Sequence, residues 1–150
     1  MDDRERSKLR LRKFLKIIGI TVAALIIGVA IFFVFKIRSE AKSALREAKN
    51  TRMALRSADI EMYALGKSVY NPDKLFNIED GVEKKVNTIY TPPGIYEITS
   101  YDYSRHEITG MTYQNGRYVV TFRMKGDALY WDVDYCWNVY HFDDDVVNGD

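Results

Sequence analysis

A single cysteine, Cys136, stands in the 150 residues, which excludes an internal disulfide framework and a cysteine-rich zinc site. Proline is absent before Pro72, and the only histidines are His106 and His141. No P-loop or dinucleotide fingerprint occurs, and no Ser-His-Asp or Cys-His arrangement has local support. Neither sign of charge prevails: 22 Lys+Arg face 21 Asp+Glu, which argues against a wholesale nucleic-acid binder. Charge is missing altogether from residues 17–35. The charges that remain are segregated. Residues 1–16 hold seven basic and three acidic side chains, 36–69 eight and four, and 70–150 seven and fourteen. The near-neutral total therefore hides a basic tail, a neutral block, a basic stretch and an acidic domain. With 47% hydrophobic and 13% aromatic residues, the chain has the means to bury one core.

The neutral block, Ile17 to Phe35, has Thr21 as its only hydroxyl. Its nineteen residues reach about 28 Å as a helix, close to the ~30 Å of bilayer hydrocarbon. A cleaved secretory signal has a shorter apolar core of about 7–15 residues followed by small residues. Here the run ends in Phe32-Phe33-Val34-Phe35 and passes straight into Lys36 and Arg38, so a retained signal anchor is expected. Seven basic residues precede the span and six follow it closely, which gives the positive-inside rule little to act on. Translocating the short N-terminus would still carry seven cations across. The expected arrangement is single-pass, with the N-terminus cytoplasmic and the C-terminal domain outside.

Beyond the span, Ile37, Ala41, Ala44, Ala48, Thr51, Leu55, Ala58, Met62, Leu65 and Val69 recur at alternating spacings of four and three. This is one face of an amphipathic helix over 36–69, and Asn71-Pro72 ends it. Its alanines are poor coiled-coil knobs, so the face predicts packing on a sheet or a neighbouring helix. Residues 70–94 read as a linker, pinned by Leu75, Phe76, Ile78, Val82, Val86 and Ile89, with room for a short helix. Four strands follow within 95–142: Ile95–Tyr103, Glu107–Tyr113, Tyr118–Met124 and Leu129–Tyr140. Asn115-Gly116 is a favoured pair for a tight hairpin turn. Val120 and Phe122, then Trp131, Val133, Tyr135 and Trp137, alternate with polar residues, as in a half-buried antiparallel meander. Together with Leu55, Met62 and Leu65 they form the expected helix-on-sheet core of an α+β fold. Residues 143–150 read as an acidic tail.

Chemistry has few candidates. His106 and His141 sit near strand ends and read as surface residues. No basic residue adjoins Cys136 to activate it. Asp143-Asp144-Asp145 fails the calcium-loop spacing, because Val147 falls at the fifth position and Asn148 at the sixth. Asp132 and Asp134 share one strand face, where alternating carboxylates keep a sheet soluble. No catalytic residue, metal or cofactor is assigned. Inside the span, Gly19/Ala23 and Ala24/Gly28 form two small-x-x-x-small pairs of the kind that lets helices approach in lipid. With Ala41, Ala44 and Ala48 they are the expected helix-packing positions.

The order of parts resembles type IV pilins and pilin-like proteins. The residues that carry the likeness are Phe14 through Val69, above all RSEAKSALREAKNTRMAL (Arg38–Leu55), and the hairpin ITGMTYQNGRYVVTF (Ile108–Phe122). The resemblance implies a membrane helix continuing into an amphipathic helix packed on an antiparallel sheet. Where family members carry a processing Gly and a Glu at the fifth mature position, this chain has Lys13 and Ile18. What the resemblance implies is therefore architecture and assembly rather than standard leader cleavage. The expected function is a non-enzymatic, membrane-anchored assembly protein, pilin-like or part of a secretion apparatus. The alternative is a membrane-tethered binding module that uses the polar sheet face and acidic tail. Expected partners are the lipid bilayer and copies of itself or other membrane subunits, with no nucleic acid and no evident small-molecule substrate.

Overall fold

The computed structural model describes the backbone of residues 3–135 and the side chains of residues 12–135. Cys136, Trp137, His141, the end of the fourth expected strand and the acidic tail lie outside the described residues. The chain divides into two compact units, Met1–Ser39 and Glu40–Asp150.

Helix α1 runs Asp3–Ala64, uninterrupted by proline. Within the first unit every described side chain is exposed, including each large apolar residue from Phe14 to Ile37. This stretch is long and apolar enough to cross a membrane. Thr21 does not break it, because its hydroxyl donates to the Ile17 carbonyl at 2.9 Å.

In the second unit α1 turns a buried face to a sheet. Ala44, Ala48, Thr51, Leu55, Ala58 and Met62 are all buried, at the alternating four-and-three spacing of one helical face. The helix ends at Ala64 rather than at Val69 because Gly66 takes a left-handed φ of 71°. The Lys67 amide then donates to the Met62 carbonyl at 3.0 Å and the Gly66 amide to Tyr63 at 2.9 Å. This paired Schellman closure satisfies the last carbonyls, and an L side chain at 66 would resist it. Leu65, expected in the core, falls on the turn and is 67% exposed. Val69 rejoins the core from outside the helix.

The stretch between helix and sheet is more structured than a linker. It holds a 3-10 turn, Leu75–Asn77, and helix α2, Val82–Ile89, whose Val82 and Val86 are buried one turn apart. Four antiparallel strands follow in simple meander order: β1 Ile95–Asp102, β2 Glu107–Asn115, β3 Tyr118–Lys125 and β4 Ala128–Tyr135. Asn115 pairs with Tyr118, so the two-residue hairpin loop is Gly116-Arg117, not Asn115-Gly116. Gly116 occupies its first position with a positive φ of 57°, the place where a loop of this length favours glycine.

The register places Met111 between Ile98 and Phe122, and Tyr113 between Tyr96 and Val120. Trp131 lies across from Phe122, Val133 from Val120, and Tyr135 from Tyr118. This face covers α1. Leu55, Met62, Val120 and Phe122 are buried there, while Trp131, Val133 and Tyr135 at the β4 edge are partly buried. The fold is α+β, a long N-terminal helix followed by an antiparallel meander.

These placements separate two residues of equal hydrophobic appearance. Phe122→Ala is expected to cost about 3–5 kcal/mol through lost burial and a residual cavity. Leu65→Ala is expected to stay within about 0.5 kcal/mol. Urea midpoints of the two variants check this, and a comparable loss in both would contradict the assigned core.

Candidate functional site

The helix meets the sheet through polar bonds as well as apolar contact, and three helix carboxylates each accept from a sheet tyrosine. The Tyr118 hydroxyl donates to Glu40 at 2.9 Å. Tyr113 donates to Glu47 at 2.9 Å, and the Asn115 amide reaches the same oxygen at 2.7 Å. Tyr101 bridges both oxygens of Asp59 at 3.0 Å, and the Val69 amide adds a third bond at 3.2 Å. Burial, and then the neighbouring carboxylate, push Tyr101 and Tyr118 up to about 12 and raise Tyr113 further. The phenols stay protonated donors at neutral pH.

Two helix cations lie on the apolar sheet face. Arg52 sits 4.2 Å from the centroid of Phe122 and 3.5 Å from a Glu107 oxygen, and Lys49 lies 5.7 Å from the Trp131 ring. Several charges of the 36–69 stretch are therefore structural. None of these tyrosine–carboxylate pairs was anticipated from sequence. The available signal was Glu40 and Glu47, seven residues apart and beside the apolar stripe, opposite strands rich in tyrosine.

Asp132 and Asp134 both project from β4 on the exposed face. Asp132 is paired with Arg123 at 3.1 Å. His106 sits after β1 at a positive φ of 49°, its ring 4.2 Å from that of Tyr63. Among the described residues no group of three or more His, Cys, Asp or Glu side chains is placed to hold a metal.

The helix-packing positions fall into two sets. Ala44 and Ala48 are buried and Ala41 half-buried under the chain's own sheet, so these alanines serve helix-on-sheet contact. Gly19, Ala23, Ala24 and Gly28 remain exposed on the apolar stretch. Ala24 and Gly28 share a shallow apolar groove of about 450 Å³, bordered by Thr21, Leu25, Val29 and Phe32. Nothing lies within 4 Å of where a Cβ would stand on Gly19 or Gly28.

Together these parts define a class: a membrane-span candidate near the N-terminus and a long helix with an antiparallel sheet, an architecture of the pilin-like kind. No known protein family, curated protein or solved structure matches the chain.

Asp59 gives this interface a pH dependence. Burial raises its pKa above the ordinary 3.8, against the lowering effects of the Val69 amide, the Tyr101 hydroxyl and nearby His106. A carboxyl raised in the folded state stabilises fully below its unfolded value and loses that contribution as pH rises through its folded value. Asp59→Asn mimics the protonated form and should gain stability relative to wild type as pH is raised from about 4, the ordinary carboxylate value, through the higher folded value. Urea midpoints across that range test the sign, and a gap that shrinks as pH rises would contradict it.

Proposed function

We propose that this chain is a non-enzymatic, single-pass membrane protein that works in assembly, as a pilin-like or secretion-apparatus subunit with an extracytoplasmic α+β domain. The observation that carries the reading is the helical stretch from Ile17 to Phe35, uncharged and with every side chain exposed. An apolar helix surface of this kind, left uncovered by the described residues, suits hydrocarbon as its solvent. Carrying the seven cations of the short N-terminus across a bilayer is unfavourable, which supports a cytoplasmic N-terminus. Assembly is supported by the Ala24/Gly28 groove, where a second backbone can approach without displacing a side chain. Ala44 and Ala48, covered by the sheet, are not part of that contact.

Two experiments address the two halves of this reading. In a Cys136→Ser background, Ala24→Cys should crosslink to higher species in native membranes, and Gly28→Leu should reduce the yield several-fold. Monomer alone at Ala24 and at the exposed Ser43→Cys position would remove assembly through this helix. Orientation is read by a membrane-impermeant thiol reagent applied to intact cells. Labelling of Lys125→Cys without labelling of Asp3→Cys is expected, and the reverse pattern would invert the topology.

A further inference from the structure

The outward face of α1 in the second unit is as regular in sequence as the buried one. Lys42, Arg46, Lys49, Met53, Arg56 and Ile60 recur at the same alternating spacings of four and three, and all six are exposed. At 3.6 residues per turn this row lies about half a turn around the helix from Ala44, Ala48, Leu55 and Met62, so it points away from the sheet. Four of the six are cations, and the two apolar members, Met53 and Ile60, are each 67% exposed. The carboxylates of the same stretch of helix are engaged elsewhere. Glu40 and Glu47 accept from sheet tyrosines, Asp59 accepts from Tyr101 and the Val69 amide, and Glu61 pairs with Lys85 at 2.6 Å. Among the described residues no carboxylate lies within ion-pair distance of Lys42, Arg46, Lys49 or Arg56. Like charges three and four residues apart repel one another, and an anionic partner relieves that repulsion.

A carboxylate-rich segment of the same chain starts close to this row. Tyr135, at the end of β4, pairs with Tyr118, whose hydroxyl reaches Glu40 on α1. The chain therefore leaves the sheet beside the end of the helix stretch at which the row begins. Earlier in the same strand, the Trp131 ring lies 5.7 Å from the Lys49 ammonium. Residues 136–150 contain Asp143, Asp144, Asp145 and Asp150, and neither Lys nor Arg. The eight Cα steps from Tyr135 to Asp143 can reach roughly 26–29 Å. The way around the helix is on the order of 20 Å, for a packing spacing of about 10 Å and a helix about 10–12 Å across. The carboxylates can thus reach the outward face of their own helix.

We propose that the outward face of α1, from Lys42 to Ile60, binds the chain's own acidic segment, residues 143–150. Lys42, Arg46 and Lys49 take Asp143, Asp144 and Asp145, Met53 meets Val146 and Val147, and Arg56 lies further along for Asp150. The order of chemistry along the helix, cation then apolar then cation, matches carboxylate, valine and carboxylate along the segment. Opposite charge brings the two together and the apolar step sets their register. The contact lies within one chain, so it holds whether or not the chain assembles through Ala24.

Carbodiimide coupling of lysine to carboxylate, mapped by mass spectrometry on the full chain in zwitterionic micelles, tests the proposal. Lys42 or Lys49 should couple to Asp143, Asp144 or Asp145 at least several-fold more than Lys84, exposed on α2, couples to them. Raising salt from about 50 to about 500 mM should cut that yield several-fold. Arg46→Gln, which removes no coupling group, should do the same at low salt. Coupling of Lys85 to Glu61 should be unchanged in that variant, reporting an intact fold. In an equal mixture of isotope-labelled and unlabelled chains, the products should join residues of one label only. The yield should also persist in vesicles of phosphatidylcholine with phosphatidylglycerol. Mixed-label products would give the face to a second copy, and loss of coupling in those vesicles would give it to anionic lipid. Either result overturns the proposal, as does a yield no higher than that of Lys84, or one that neither salt nor Arg46→Gln changes.

Discussion

Close approach of α1 to the sheet is the constraint on which the 40–135 region depends. Ala44, Ala48, Ala54 and Ala58 keep the buried helix face low, and larger side chains from the strands, Tyr113, Met111 and Phe122, fill the space above them. The tyrosines are long enough to cross the interface and end at its border, where Glu40, Glu47 and Asp59 wait as acceptors. The hydroxyls of Tyr101, Tyr113 and Tyr118 are satisfied there, and each carboxylate is held at a defined point along the helix. Register between helix and sheet is thus specified by polar bonds on top of non-directional apolar packing. A slide of one helical turn would break all three sets together.

The same bonds change the meaning of the charge pattern. The basic stretch over 36–69 and the acidic surplus over 70–150 look like two opposed surfaces in sequence. Much of that charge is spent internally. Arg52 lies over Phe122 and against Glu107, Lys85 reaches Glu61 at 2.6 Å, and Arg123 pairs with Asp132. Exposed pairs of this kind contribute little stability.

Periodicity carried the large features. The four-and-three stripe located the buried helix face, strand alternation located Val120, Phe122 and Val133, and the uncharged block located the apolar helix. Two local features differ from the sequence expectation. Gly66 lies within the expected 36–69 helix, yet glycine after a run of helix formers is a stop signal, and Leu65 beside it leaves the core. Asn115-Gly116 was read as a hairpin loop by its dipeptide, whereas pairing across the turn decided which two residues it contains. The consecutive left-handed residues Phe76 and Asn77 could not be read at all, because neither is glycine. Their conformation is imposed by Asn77 reaching β1 some twenty residues later in the chain. The tyrosine–carboxylate pairs were hidden for the same reason. Glu47 and Tyr113 are ordinary residues apart, and they acquire a role only when the fold brings them together.

Thr21 carries a last consequence. Its hydroxyl is quenched by the Ile17 carbonyl within its own helix turn, so no polar side chain of the 17–35 stretch is left to seek a partner in hydrocarbon. Two such helices side by side would be held by shape alone, with no polar lock to fix their rotation or axial offset. Such a span would act as a bearing rather than a clamp, and would leave angular order to residues beyond it.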